Sequence, residues 1–107
     1  MKILKCLAWV IGINKYMYYP DLHAAVNDAT EFADKLEQLG YSVVRSIDDG
    51  HNQEGTYKHV LEKQQIFLDK ILEDKVDVAL VYFAGHGLMI NKEDCLILSD
   101  TDSCKDG

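Results

Sequence analysis

Val-Asp-Val-Ala-Leu-Val-Tyr-Phe-Ala-Gly-His-Gly-Leu, residues 76–88, is the stretch whose reading decides the fold. From Val78 to Ala84 it is apolar without a break, rich in β-branched and aromatic side chains and too short for a lone buried helix. It therefore reads as a strand covered on both faces. Such strands lie in the middle of parallel sheets. The run stops at Gly85, His86 and Gly87, so a titratable imidazole stands where the strand leaves the sheet, with a glycine on each side through which other backbone can approach. Open α/β sheets place their chemistry at these C-terminal strand ends. A lone Gly-His-Gly is more often a loop histidine beside a tight turn, and the surrounding sequence has to decide between the two readings.

Two more apolar runs precede it. Residues 6–13 form a continuously apolar strand, closed by the polar pair Asn14 and Lys15 and an aromatic loop to Pro20, and residues 41–47 form another. Between them Leu22, Ala25, Val26, Ala29, Phe32, Ala33, Leu36 and Leu39 recur at intervals of three and four, which makes one helical stripe, and Gly40 is a natural stop. Asp28, with Glu31 three residues later, resembles a capping box, so regular helix is expected from near Asp28. Polar residues 48–55 read as an exposed loop. From Thr56 to about Lys75 the residues Tyr57, Val60, Leu61, Phe67, Leu68 and Ile71 mark a second amphipathic helix, with Gln64 at one stripe position. The order β-α-β-α-β with apolar strands calls for an α/β fold in three layers, a parallel sheet with helices on both faces and right-handed crossovers. After His86 come a polar, hairpin-like stretch at 91–94, the short apolar run Leu96, Ile97 and Leu98, and an acidic tail.

Composition sets the outer bounds. A chain of 107 residues, 48% hydrophobic and 27% charged, is enough for one small domain with a core. Eleven basic against eighteen acidic residues give a net charge of −7, which argues against a nucleic-acid partner, since phosphate backbones select a basic stripe. Cys6, Cys95 and Cys104 form neither a CxxC pair nor an even set, so a reducing, cytoplasmic setting is expected. Met1 and Lys2 open an apolar stretch like the start of a signal peptide, but Lys5 interrupts it and no small-residue cleavage site follows, so it reads as a strand. No apolar segment approaches the roughly 20 residues that span a bilayer, and no membrane association is expected.

Placed in order, Val-Ile-Gly-Ile-Asn-Lys-Tyr (10–16), Leu22, Asn-Asp-Ala (27–29), Leu-Glu-Gln-Leu-Gly-Tyr (36–41) and Tyr-Phe-Ala-Gly-His-Gly (82–87) resemble the caspase-like cysteine peptidases. The metacaspase and paracaspase branches are closest, and the resemblance runs from about Cys6 to Asp102. It implies a caspase-like, flavodoxin-like doubly wound αβα fold with parallel sheet order 2-1-3, which then continues with the strand that bears the nucleophile. It also implies a Cys-His dyad, in which His86 matches the histidine and the cysteine stands about 50 residues further on. An imidazole near a thiolate stabilises it and protonates the leaving amine. Gly87 matches the residue whose backbone N–H helps form the oxyanion hole. Asp28 matches the acidic S1 residue that receives Arg or Lys at P1, where caspases proper are basic. The bland alternative for Asp28 is the helix cap alone, worth about 1 kcal/mol.

The sequence also departs from the family. Only 21 residues follow His86, so the chain is expected to be a single caspase-like domain, incomplete on its C-terminal side, truncated before the nucleophile strand and inactive by itself. Cys6, Cys95 and Cys104 read as small buried or incidental surface thiols. Some metacaspases take calcium, but Asp100, Asp102 and Asp106 lack the spacing of a calcium loop, so no metal ligand and no cofactor is assigned. The leading function is a cysteine endopeptidase cleaving after Arg or Lys, with this chain as its histidine-bearing portion. Its partners would be a peptide or protein substrate, the C-terminal part of the domain, and a second copy through the open edge of the Val78 strand. The alternatives are a catalytically dead module for binding or dimerisation, and a flavodoxin-like small-ligand domain. Against the last, the first strand-to-helix turn has no glycine-rich phosphate loop.

Overall fold

The first apolar run forms β1 (Cys6–Ile13), buried over nearly its whole length. In the computed structural model, which describes residues 1–102, β1 is the middle of a parallel sheet of order β2-β1-β3, with β2 at Ser42–Asp48 and β3 at Val78–Ala84. Trp9 lies between Val44 on one neighbour and Val81 on the other. The two crossovers are α1 (Ala25–Gln38) and α2 (Tyr57–Glu73), and a hairpin of β4 (Gly87–Ile90) and β5 (Glu93–Leu96) follows β3. Asn91 and Lys92 turn the hairpin with φ of 51° and 67°, the left-handed pair that a two-residue primed turn requires.

Side-chain alternation along β1 separates two cores. Ala8 and Val10 pack with Ala29, Ala33 and Leu36 of α1. Leu7, Trp9, Ile11 and Ile13 pack on the other face with Val44, Phe67 of α2, Tyr16 and Ile97. The Trp9 indole N–H donates to the buried Ser46 hydroxyl at 2.9 Å, so the one polar atom of that large side chain is satisfied. The helices therefore lie on opposite faces, and the three-layer caspase-like arrangement with sheet order 2-1-3 is the one observed. No helix among the described residues is long and apolar enough to cross a membrane.

Three expectations are corrected. First, β3, the edge strand that the order 2-1-3 implies, is not covered on both faces along its length. Phe32 of α1 stacks on Tyr82 at 4.2 Å, whereas α2 lies against β2 and leaves Ala79 and Val81 exposed. Second, α1 begins at Ala25 instead of near Asp28; its N-cap Ala24 makes no side-chain cap, and the Asp28 N–H already bonds the Ala24 carbonyl as an interior helical residue. The missing cap comes from outside the helix, because Asn14 Oδ1 accepts from the Val26 N–H at 3.0 Å. Third, of the expected α2 stripe only Phe67 is fully buried, Val60 and Ile71 are partly so, and Tyr57, Leu61 and Leu68 are exposed. Cys104 and Asp106 lie outside the described residues.

The tightest seam in the fold is at Gly12. A Cβ built there would lie 2.5 Å from Ala29 Cβ and 3.1 Å from the Ala25 carbonyl oxygen. Gly12→Ala should lower unfolding free energy by about 1–3 kcal/mol, the range for overpacking a filled interior. Urea denaturation measures it, and an unchanged midpoint would mean that α1 is not seated on β1 as described.

Candidate active site

Asn14 organises the C-terminal end of the sheet. Its N–H donates to the Asp48 carbonyl at 3.0 Å, its own carbonyl accepts from the Leu22 N–H at 2.7 Å, and its side chain caps α1. One residue thus joins the end of β2, the return of the 15–22 loop and the start of α1. Below it the Asp48 carboxylate, 2% exposed, accepts from the N–H groups of Gly50 and Gly55 at 2.9 and 2.8 Å. The 15–22 loop is held by Asp21, which pairs with Lys15 Nζ at 3.0 Å and accepts from the Tyr16 N–H at 3.4 Å. The Lys15 hydrogen bond, and then that backbone N–H, draw the Asp21 carboxyl below its ordinary range.

The loop delivers two groups to His86. Tyr16 Oη accepts from the His86 N–H at 2.9 Å, and the two rings lie 4.7 Å apart at a tilt. His86 Nε2 lies 2.7 Å from the Pro20 carbonyl oxygen. A carbonyl only accepts, so Nε2 carries the proton and Nδ1 is left as the base. Tyr19 adds a third ring, 6.3 Å away. Gly85 is required here, because a Cβ would fall 2.5 Å from Tyr16 Oη. Burial raises the Tyr16 phenol above its ordinary pKa; the His86 N–H partly offsets this and Asp48 adds to it.

Gly87 follows a different logic. A Cβ would meet only the Cys95 carbonyl, at 3.6 Å, so the fold itself does not demand a glycine. The Ile97 N–H donates to the His86 carbonyl at 2.9 Å, and Gly87 pairs with Leu96 one step along the ladder. Antiparallel ladders alternate bonded and non-bonded pairs, which directs the Gly87 N–H away from β5 and leaves it open to an incoming oxygen. Asp28 stands nearby, exposed, its carboxylate without a hydrogen bond or ion pair to another described residue. It lines a cleft of about 480 Å³ together with Leu22, His23, Ala25, Phe83 and Gly85. The structure thus brings Asp28 and the strand end that carries His86 into one depression.

The cysteines do not join them. Cys6 begins β1, paired with Val78 at the opposite end of the sheet, and the Cys95 thiol is turned to the Glu93 carbonyl at 3.7 Å. Asp100 accepts the Tyr57 N–H at the start of α2, and among the described residues no three His, Cys, Asp or Glu side chains converge as metal ligands. Sequence reading missed Tyr16, the Pro20 carbonyl and the cap role of Asn14. Tyr16 and Asn14 fall inside the resembling segment 10–16, but their contacts are formed by residues distant in the chain.

An imidazole held at the C-terminal end of a parallel three-layer sheet, beside a backbone N–H directed outward, is the arrangement of an α/β domain that carries its site at its strand ends. Residues 5–105 match the caspase domain of peptidase family C14, and the chain belongs to that family. No curated protein and no solved structure matches it.

Nitrogen-15 NMR at alkaline pH, where imidazoles are neutral, should find the His86 proton on Nε2. A proton on Nδ1 would contradict the Pro20 contact. Tyr16 supplies a second measurement. Its folded pKa lies above the unfolded value, so its contribution to stability is complete below the ordinary tyrosine pKa of about 10. That contribution is lost as pH rises through the folded value. Tyr16→Phe should therefore flatten the fall in stability across that alkaline range; an unaltered alkaline slope would show that the phenol is solvated.

Proposed function

We propose that this domain is the histidine-bearing portion of a cysteine endopeptidase of the metacaspase or paracaspase type, cleaving after Arg or Lys. The observation that carries the reading is the unpartnered Asp28 carboxylate in the cleft that ends at Gly85, one residue before His86. An acidic group without an internal cation suits a guanidinium or ammonium at P1, to which a carboxylate makes charge-assisted hydrogen bonds. The absence of an Asp28 cap removes the structural role that competed with this one.

The chemistry follows from the groups around the cleft. A thiolate attacks the scissile carbonyl carbon, and the oxygen that gains charge receives the Gly87 N–H. His86, protonated, gives its proton to the departing amine as the C–N bond breaks and the thioester remains. Water, deprotonated by the same imidazole, then hydrolyses the thioester and restores the thiol. The cysteine would come from a strand added along the open edge of β3, as the family resemblance implies. The free thiols of Cys6 and Cys95 suit a reducing, cytoplasmic setting. One observation favours the second reading, a caspase-like module that only binds: neither Cys6 nor Cys95 is directed at His86.

The cleft can be tested without the nucleophile. Titrating the nitrogen-15-labelled chain with N-acetyl-arginine amide should shift the amides of residues 22–28 and 83–87, and N-acetyl-norleucine amide should not. Asp28→Asn should weaken arginine binding at least tenfold while changing stability by less than about 0.5 kcal/mol, as for an exposed side chain without partners. Equal binding of both amides, or arginine binding unaffected by Asp28→Asn, would remove Asp28 from the S1 role.

A further inference from the structure

We infer that Tyr16 is a positioning residue of this site: through the His86 N–H, its phenol oxygen aims both the imidazole and the Gly87 N–H. The inference rests on the reading of those two groups as acid–base and oxyanion donor. Tyr16 meets neither the transferred proton nor the oxyanion. It acts through the main chain that joins the two groups.

The first observation is how the main chain of His86 is held. Its N–H donates to Tyr16 Oη at 2.9 Å, and its carbonyl accepts from the Ile97 N–H at 2.9 Å. Both peptide groups that flank the residue are therefore pinned. In a planar trans peptide the C=O and N–H point in opposite directions, so the hold on the His86 carbonyl turns the Gly87 N–H the other way. The hold on the His86 N–H fixes the preceding plane, and two fixed planes set the direction in which the α-carbon sends the imidazole. Pro20 then has only to settle the ring, at Nε2.

The second observation is that these holds close on themselves. Tyr16 and Ile97, 9% and 1% exposed, are buried in one cluster with Trp9 and Ile13. The Met17 N–H donates to the Ser99 carbonyl at 2.8 Å. A circuit therefore runs from Tyr16 Oη to His86, from the His86 carbonyl to Ile97, along the chain to Ser99, and back through Met17 to Tyr16. Its other bonds join main chain to main chain, and the phenol oxygen is its side-chain member. A side-chain substitution can open the circuit there. Gly85 leaves room for that oxygen, since a Cβ on the residue before the histidine would fall 2.5 Å from it. In the proposed cleavage the proton moves at Nδ1 while charge gathers on an oxygen in front of Gly87. Misdirection of either group slows the reaction, and one phenol oxygen governs both.

Hydrogen exchange of the unsubstituted chain is the first test: relative to its intrinsic rate, the His86 amide should exchange at least tenfold more slowly than the outward Gly87 amide. Tyr16→Phe keeps the ring and removes the oxygen. It should speed His86 exchange at least tenfold and average the His86 χ1 couplings over several rotamers, with the β1 amides of Ala8 and Val10 unchanged. Gly85→Ala, whose methyl would displace the oxygen, should have the same effect. Added to Tyr16→Phe it should speed exchange less than threefold further, because substitutions that act through one contact do not add. Equal protection at 86 and 87, a His86 rotamer indifferent to Tyr16→Phe, release of the β1 amides together with His86, or full addition of the two substitutions would each overturn the inference. Arginine binding in the Asp28 cleft is read on chains that keep Tyr16 and Gly85, so either idea can fail while the other stands.

Discussion

The contact on which the rest of this structure depends is the seating of α1 on Gly12. Removing one side chain from the middle strand lets the Ala25 carbonyl and the Ala29 methyl come down to the backbone of β1. Close packing of this kind gains dispersion contacts that a larger residue would prevent. It also fixes a distance, because the start of α1 is pressed against the C-terminal end of β1. From there Asn14 can reach the Val26 N–H, and Asp28 looks over the end of β3. The opposite face of β1 carries the bulk, in Leu7, Trp9, Ile11 and Ile13, and this keeps the sheet a true middle layer.

A second set of contacts turns that frame into a site. His86 is held through its backbone by Tyr16 and through its ring by Pro20, and both anchors belong to one short loop fastened by Asn14 and Asp21. A histidine held in this way has its ring orientation fixed by the fold itself, which is what a scaffold can supply in advance. The Gly87 donor is likewise directed outward before anything binds. The side of β3 away from β1 is different in kind. Among the described residues no strand pairs with it, and Val81 there is exposed.

Sequence and structure part company at particular residues. The stripe from Leu22 to Leu39 correctly announced α1, but Asp28 followed by Glu31 has the form of a capping box and the cap came from Asn14 instead. An acceptor twelve residues away in sequence, outside the helix, leaves no local signature. The apolar run of β3 was read as covered on both faces, yet α2 lies against β2 and the exposed Val81 is the result. Apolar composition records what a face is suited to bury and does not say what buries it. The α2 stripe misled for the same reason, since Leu61 and Leu68 belong to its apolar arc but not to its buried side.

What the sequence determined by itself was the order of elements, the parallel three-layer architecture and the position of His86 at a strand end. Periodicity, strand length and glycine placement are local properties that survive without knowledge of neighbours. The family was legible too, because its motifs keep their order and spacing along almost the whole chain. Tertiary structure alone decided which imidazole nitrogen keeps its proton, that Gly87 points its N–H away from the hairpin, and that Asp28 does not cap α1. Each of these depends on a group brought from elsewhere in the chain, as Pro20 is to His86 and Asn14 to Val26. Contacts between residues distant in sequence are made by packing, and packing is settled only when the whole domain has folded.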